Sequence, residues 1–149
     1  MQRANSLSFM IQNLASLLQR QADQVLQEQL GIGMSQFRIL KIVQANPHMM
    51  QRHIADSLGQ TEAGVSRQVK LLIDKKMLAV QRNPKNRREH HTVLTTKGFQ
   101  ITEAAQGVLQ SAQAPFLNGL SDKQQRELME LLEKLSHNIF LSTNLESDF

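Results

Sequence analysis

A chain of 149 residues is long enough to bury one hydrophobic core and short for two independent domains, and its 40% apolar and 20% charged residues are those of an ordinary globular protein, not a disordered polyelectrolyte. It contains no Cys, which excludes disulfides, thiolate metal sites and thiol redox chemistry. The net charge of +4 is uneven: from Thr61 to Gly98 nine Lys or Arg (Arg67, Lys70, Lys75, Lys76, Arg82, Lys85, Arg87, Arg88, Lys97) face three acids (Glu62, Asp74, Glu89), which leaves the rest of the chain net negative. A charge run is ordinarily a solvated face, but an excess gathered into one quarter of a chain is also the footprint of a nucleic-acid partner. No apolar run approaches the roughly 18 residues of a membrane span, and the first residues lack a signal-peptide core, so a cytoplasmic location with no membrane partner is expected.

In chain order, Leu7, Ile11, Leu14, Leu18, Ala22 and Val25 recur at steps of three and four and mark one face of a long first helix, ended by Gly31 and Gly33. Ser35 is the expected N-cap of a second helix carrying Phe37, Ile39, Leu40 and Val43, which Asn46-Pro47 stops. A short helix over about 51–58 and another over about 61–75 follow, joined by Gly59-Gln60. The period then changes. Leu78 to Arg82 and His91 to Leu94 alternate as two short strands around the basic, turn-rich stretch 83–89. Helical spacing returns with Thr95 as N-cap and Ile101, Ala105, Val108 and Ala112 up to Pro115. Ser121 and Gln124 form a capping-box pattern ahead of a last helix striped by Leu128, Leu131, Leu132, Leu135 and Ile139.

The segment 51–72 holds Ala55, Gly59 and Val65 at separations of four and six. Two short helices crossing steeply approach closest at a small residue, turn through a left-handed one and fill the remaining gap with a β-branched side chain, so each of the three has a steric role in a helix-turn-helix. With Val65, Val69 and Leu72 inward, the second helix turns Ala63, Ser66, Arg67, Lys70 and Asp74 outward, with Gln60, Thr61 and Glu62 at its start. That face fits a major groove about 12 Å wide. An ordinary helical hairpin would carry these three residues only by chance, and a basic hairpin tip alone would serve solubility. Their order within one compact unit favours a winged helix-turn-helix.

The motifs Ala55-x-x-Leu58-Gly59, Val65-Ser66-Arg67-x-Val69-x-x-Leu72, Asn83-Pro84-Lys85-Asn86-Arg87-Arg88 and Leu94-Thr95-x-x-Gly98 together resemble the MarR family of bacterial regulators, and the helix order extends the resemblance over nearly the whole chain. The resemblance implies a mainly α fold: a winged helix-turn-helix with a two-stranded β-wing and N- and C-terminal dimerisation helices. It makes 1–149 a single domain, with a DNA-binding lobe over 35–98 and dimerisation helices over 1–30 and 100–149. It also implies a homodimeric, ligand-responsive repressor of transcription that binds double-stranded DNA at a pseudo-palindromic operator. The DNA-binding residues would be Gln60, Thr61, Ser66, Arg67, Lys70, Lys85, Arg87 and Arg88. A small organic effector would sit between the dimerisation helices and the DNA-binding lobe, with Arg38, His48, Met49 and Met50 as candidate lining. Two residues depart from the family: Asn86 replaces the usual Asp, and Lys76 replaces the usual Gly where the recognition helix ends, so Lys76 must take a left-handed backbone or the helix must end differently.

Several other features suggest chemistry and are discounted. His90 and His91 point to opposite faces of a strand and lack further ligands, so they are expected to be solvated or near phosphate; His48 and His53 flank Met49-Met50 as packing residues. No metal, cofactor or catalytic group is expected, since nucleophile elbow, phosphate loop and metalloprotease patterns are absent. Two other classes stay open: a winged protein-interaction module without DNA, and a small hydrolase or transferase, which would need a paired set of catalytic groups.

Overall fold

The computed structural model describes residues 2–82 and 90–145. The elements run α1 (Gln2–Leu30), α2 (Met34–Ala45), α3 (Gln51–Leu58), α4 (Glu62–Asp74), β1 (Leu78–Arg82), β2 (His90–Leu94), α5 (Thr96–Gln113), a 3-10 turn (Ala114–Leu117) and α6 (Asp122–Leu145). β1 and β2 pair antiparallel, with Leu78 opposite Leu94 and Arg82 opposite His90. Among the described residues the fold is the expected one, mainly α with one two-stranded β-ribbon. By packing, the chain forms two units, 1–112 and 113–149.

The core of the first unit is built from one face of each helix. Leu26 of α1, Ile39, Leu40 and Val43 of α2, Ile54 and Ala55 of α3, Val65, Val69 and Leu72 of α4, Leu78 of β1 and Ala105 of α5 are all buried together. Burying such side chains stabilises by about 1.5–3 kcal/mol each, more than any surface contact in the molecule. On α1 the stripe divides: Ala22 and Leu26 are buried, Leu18 and Val25 partly so, whereas Leu7, Ile11, Leu14 and Leu17 are exposed.

The start of α2 differs from expectation. The helix opens at Met34 with Gly33 as its N-cap, not at Ser35. The reason lies on another element: Asp23 Oδ1 of α1 accepts from the Met34 N–H at 2.8 Å, and Gln36 Oε1 accepts from the Gly33 N–H at 3.4 Å. An orphan donor of the first turn is thus satisfied by a remote carboxylate, so no local Ser is needed. In the second unit Ser121 and Gln124 form the expected box, Ser121 N–H donating to Gln124 Oε1 at 2.9 Å and Gln124 N–H to Ser121 Oγ at 3.3 Å. α6 carries Leu128, Met129, Leu131 and Leu132 exposed and Leu135 partly buried. No described helix is long and apolar enough to cross a membrane.

Candidate nucleic-acid interface

The turn between α3 and α4 depends on one glycine. Gly59 sits at φ 60°, ψ 34°, a left-handed conformation that costs a residue with a Cβ, and the Gln60 N–H returns to Ala55 O at 3.0 Å. Ala55 is 2% exposed and Val65 0%, so the small residue and the β-branched one are both buried in the core that α3 and α4 share. Thr61 caps α4, its Oγ1 accepting from the Gly64 N–H at 3.2 Å.

The C-terminus of α4 closes in a Schellman arrangement, with Lys76 N–H on Ile73 O at 2.8 Å and Met77 N–H on Leu72 O at 2.9 Å. Lys76 stands at φ 59°. Of the two routes left open for this departure from the family pattern, the chain takes the left-handed backbone. Thr95 fastens this end to the next helix, since its Oγ1 donates to Lys76 O at 2.7 Å and accepts from the Gly98 N–H at 3.0 Å. Gly98 is required there because a Cβ would lie 1.9 Å from Met77 O.

With both ends held, α4 exposes Ser66, Arg67 and Lys70 along one side, and Gln60 and Thr61 lie exposed at its start. The structure thus gathers five of the eight sequence-predicted contact residues onto one surface. Lys85, Arg87 and Arg88 lie outside the described residues. In the described part of the ribbon, Gln81 and Arg82 of β1 are exposed. Two other basic residues of the region are tied to backbone carbonyls: Lys75 Nζ donates to Gly31 O at 2.6 Å, and Lys97 Nζ donates to Lys75 O at 2.9 Å. Arg52, which sequence reasoning passed over, is exposed beside an open cleft of about 390 Å³ that it lines with Met50, Gln51 and Glu62, at the starts of α3 and α4.

The candidate effector residues have different surroundings. Met50 lines that cleft, Met49 packs on the core, Arg38 is exposed on α2, and His48 sits at φ 74° with its ring edge-on to His91 at 5.4 Å. His91 is accordingly half-buried, with Nδ1 enclosed and, among the described residues, unpartnered, rather than solvated. The β-ribbon carries it against the loop ahead of α3, a contact too distant in sequence for strand alternation to reveal. Among the described residues no cluster of three or more His, Asp or Glu could hold a metal ion.

Residues 30–89 match the model of the MarR family. Over that segment the chain is similar to the MarR family. The chain is similar over 93% of its length to a MarR/EmrR family transcriptional regulator from Acinetobacter sp. ADP1, of which 97% is covered, at 26% identity and a TM-score of 0.75. It also shares its fold with a mutant MarR from E. coli complexed with operator DNA, at 21% identity and a TM-score of 0.75, covering 87% of this chain and 93% of that one. A third match is CouR from Rhodococcus jostii RHA1 bound to p-coumaroyl-CoA, at 14% identity and a TM-score of 0.73, covering 89% and 92%. The MarR-family match covers α2, α3, α4 and β1 and stops before β2, so it includes the exposed face of α4.

Proposed function

We propose that this chain is a sequence-specific double-stranded-DNA-binding repressor of transcription that acts in the cytoplasm as a homodimer on a pseudo-palindromic operator. The observation that carries the reading is the outward face of α4: a helix capped at both ends and seated on the core, presenting Ser66, Arg67 and Lys70 beyond Gln60 and Thr61. In this reading α4 enters the major groove. Arg67 makes two hydrogen bonds to a guanine edge, while Lys85, Arg87 and Arg88 of the wing meet phosphates or an adjacent minor groove. Operator-bound MarR supports the DNA partner through their common fold.

One such helix contacts few base pairs, and winged proteins answer this by two-fold pairing. The exposed apolar residues of α1 (Leu7, Met10, Leu14, Leu17) and α6 (Leu128, Met129, Leu131, Leu132) support a second copy as the partner. Residues 35–98 are then the DNA-binding lobe, and 1–30 and 100–149 the dimerisation helices. A small organic effector near Arg38, His48, Met49 and Met50 completes the reading, supported by the acyl-CoA bound to CouR.

Selection of bound duplexes from a random pool tests binding, specificity and symmetry together. The expected result is an enriched inverted repeat with half-sites one helical turn, about 10 base pairs, apart. Recovery of no sequence above background, or no salt-dependent duplex affinity, would leave a protein-interaction module as the better account.

A further inference from the structure

The inward-turned residues beneath α4 form a connection that neither the core nor the DNA-facing surface explains. Gln36 is polar yet only 7% exposed. Its Nε2 donates to Gln68 Oε1 on α4 at 3.1 Å, and its Oε1 faces the Gly33 N–H and Lys75 Nζ, each at 3.4 Å. Lys75, the C-cap of α4, reaches past it to Gly31 O at 2.6 Å. On the other side Asp23 of α1 holds the Met34 N–H, so the hinge between α1 and α2 is tied to α1 as well.

α4 is therefore gripped at Gln68 and Lys75, seven residues or about 10 Å apart along its axis. Two points at that separation oppose tilting as well as sliding. Both grips end on 31–36, the segment that joins α1 to the winged unit along the chain. A buried side-chain amide is costly unless its groups are paired, and an apolar residue of similar size would fill the same space without linking anything.

We infer that Gln36 is a positioning residue that locks the recognition helix to the α1–α2 hinge and so fixes the separation at which two copies present their recognition helices to DNA. The inference rests on the DNA-binding reading above and adds to it the residue that sets half-site spacing. Gln36 touches no DNA. Its effect is on the allowed spacing, which a general loss of stability would not alter selectively.

The test uses the full chain, the duplex obtained by selection, versions of it with one base pair inserted or removed between half-sites, and a scrambled duplex. For the parent, affinity falls sharply when spacing changes. Gln36→Leu is expected to lose about tenfold on the preferred spacing, the equivalent of one to two buried hydrogen bonds. It should change by less than about threefold on the altered and scrambled duplexes, flattening the spacing profile. Gln36→Glu keeps an acceptor for Gly33 and Lys75, and Gln68 can turn its amide to donate, so this variant should retain the parent profile. If Gln36→Leu does not fold, Gln68→Leu removes the same link from the half-buried side and is read by the same criterion. A folded leucine variant that keeps the parent's spacing profile, or that weakens every duplex equally, overturns the inference while leaving DNA binding intact. A parent that binds no duplex overturns the DNA-binding reading, and this inference with it.

Discussion

Two apolar stripes of this chain share a helical period and have opposite fates. On α4, Val65, Val69 and Leu72 are at most 1% exposed, whereas on α6 Leu128, Leu131 and Leu132 are 39–58% exposed. The period states that a face favours removal from water, and is silent on what removes it. For α4 the answer lies within the chain, in α2, α3 and β1. For α6 and the first half of α1 the same driving force is unspent in a single copy, which is why the two regions should respond to substitution in different ways.

The largest expected effect breaks the comparison at its exposed side. Leu131→Asp with Leu135→Asp puts two carboxylates on a face where one copy leaves Leu131 mostly in water, so a lone chain should fold nearly unchanged. A dimer that buries this face would bear unpaired charge worth several kcal/mol. The variant should sediment as a folded monomer with an unchanged helical spectrum. If it sediments like the parent, α6 is not the seam. Next comes a substitution on the buried side. Gly98→Ala drives a Cβ to within 1.9 Å of Met77 O and 2.9 Å of Leu94 Cδ2, where the end of α4, the strand base and α5 meet. It should cost about 3 kcal/mol in urea unfolding. A loss within error of zero would mean that the start of α5 shifts freely and that the wing base is not fixed by it.

A smaller effect separates two parts of the DNA surface itself. Arg67→Ala should cost about 1–3 kcal/mol on the selected duplex and relax preference at one position per half-site, while Arg88→Ala should weaken selected and scrambled duplexes alike. For a dimer, Arg88→Ala should also make the slope of log affinity against log salt shallower by roughly 2 if both copies contact phosphate. Binding isotherms at several salt concentrations distinguish them. Equal weakening of both duplexes by Arg67→Ala would make Arg67 a phosphate anchor, and an Arg88→Ala variant with neither operator affinity nor slope changed would remove the wing from the contact.

What could be read in advance divides along the same line. Ala55, Gly59 and Val65 were legible because each follows from sterics between residues close in sequence, and strand 78–82 from its alternation; Lys76 stood out only as a departure from the resembled family, which left a left-handed backbone or a different helix end open. The α2 start was misread because the acceptor for its Met34 N–H is Asp23, eleven residues away on α1. Lys75 and Lys97 counted as surface charge, although their ammonium groups end on backbone carbonyls 44 and 22 residues distant. Gln36 gave no signal at all, since a polar residue in an amphipathic helix reads as solvent-facing. The outward face of α4 was recoverable because it is the complement of a buried stripe; its connections to the hinge were not, because pairing between polar side chains has no period.

The smallest expected effect tests how open the exposed side is. Gly107 lies mid-way along α5 and lines an open groove of about 480 Å³ with Val25, Gln29, Ala104, Val108, Ser111 and Ala112. A Cβ there would meet nothing within 4 Å, in contrast to Gly98 on the same helix. Gly in a helix interior is less favourable than Ala by about 0.8–1 kcal/mol, mostly through the freedom of the unfolded chain. Gly107→Ala should therefore raise the unfolding midpoint by about 3 °C, measured at low protein concentration where a single copy is the folding unit. If the groove stays open on association, the gain persists as concentration rises. If a second copy packs into it, the added methyl crowds the interface, and the gain shrinks or reverses as the dimer forms. A fall in midpoint at every concentration would mean that the groove is closed within one chain, and would remove this stretch of α5 from the unpartnered surface that distinguishes the terminal helices from the winged core.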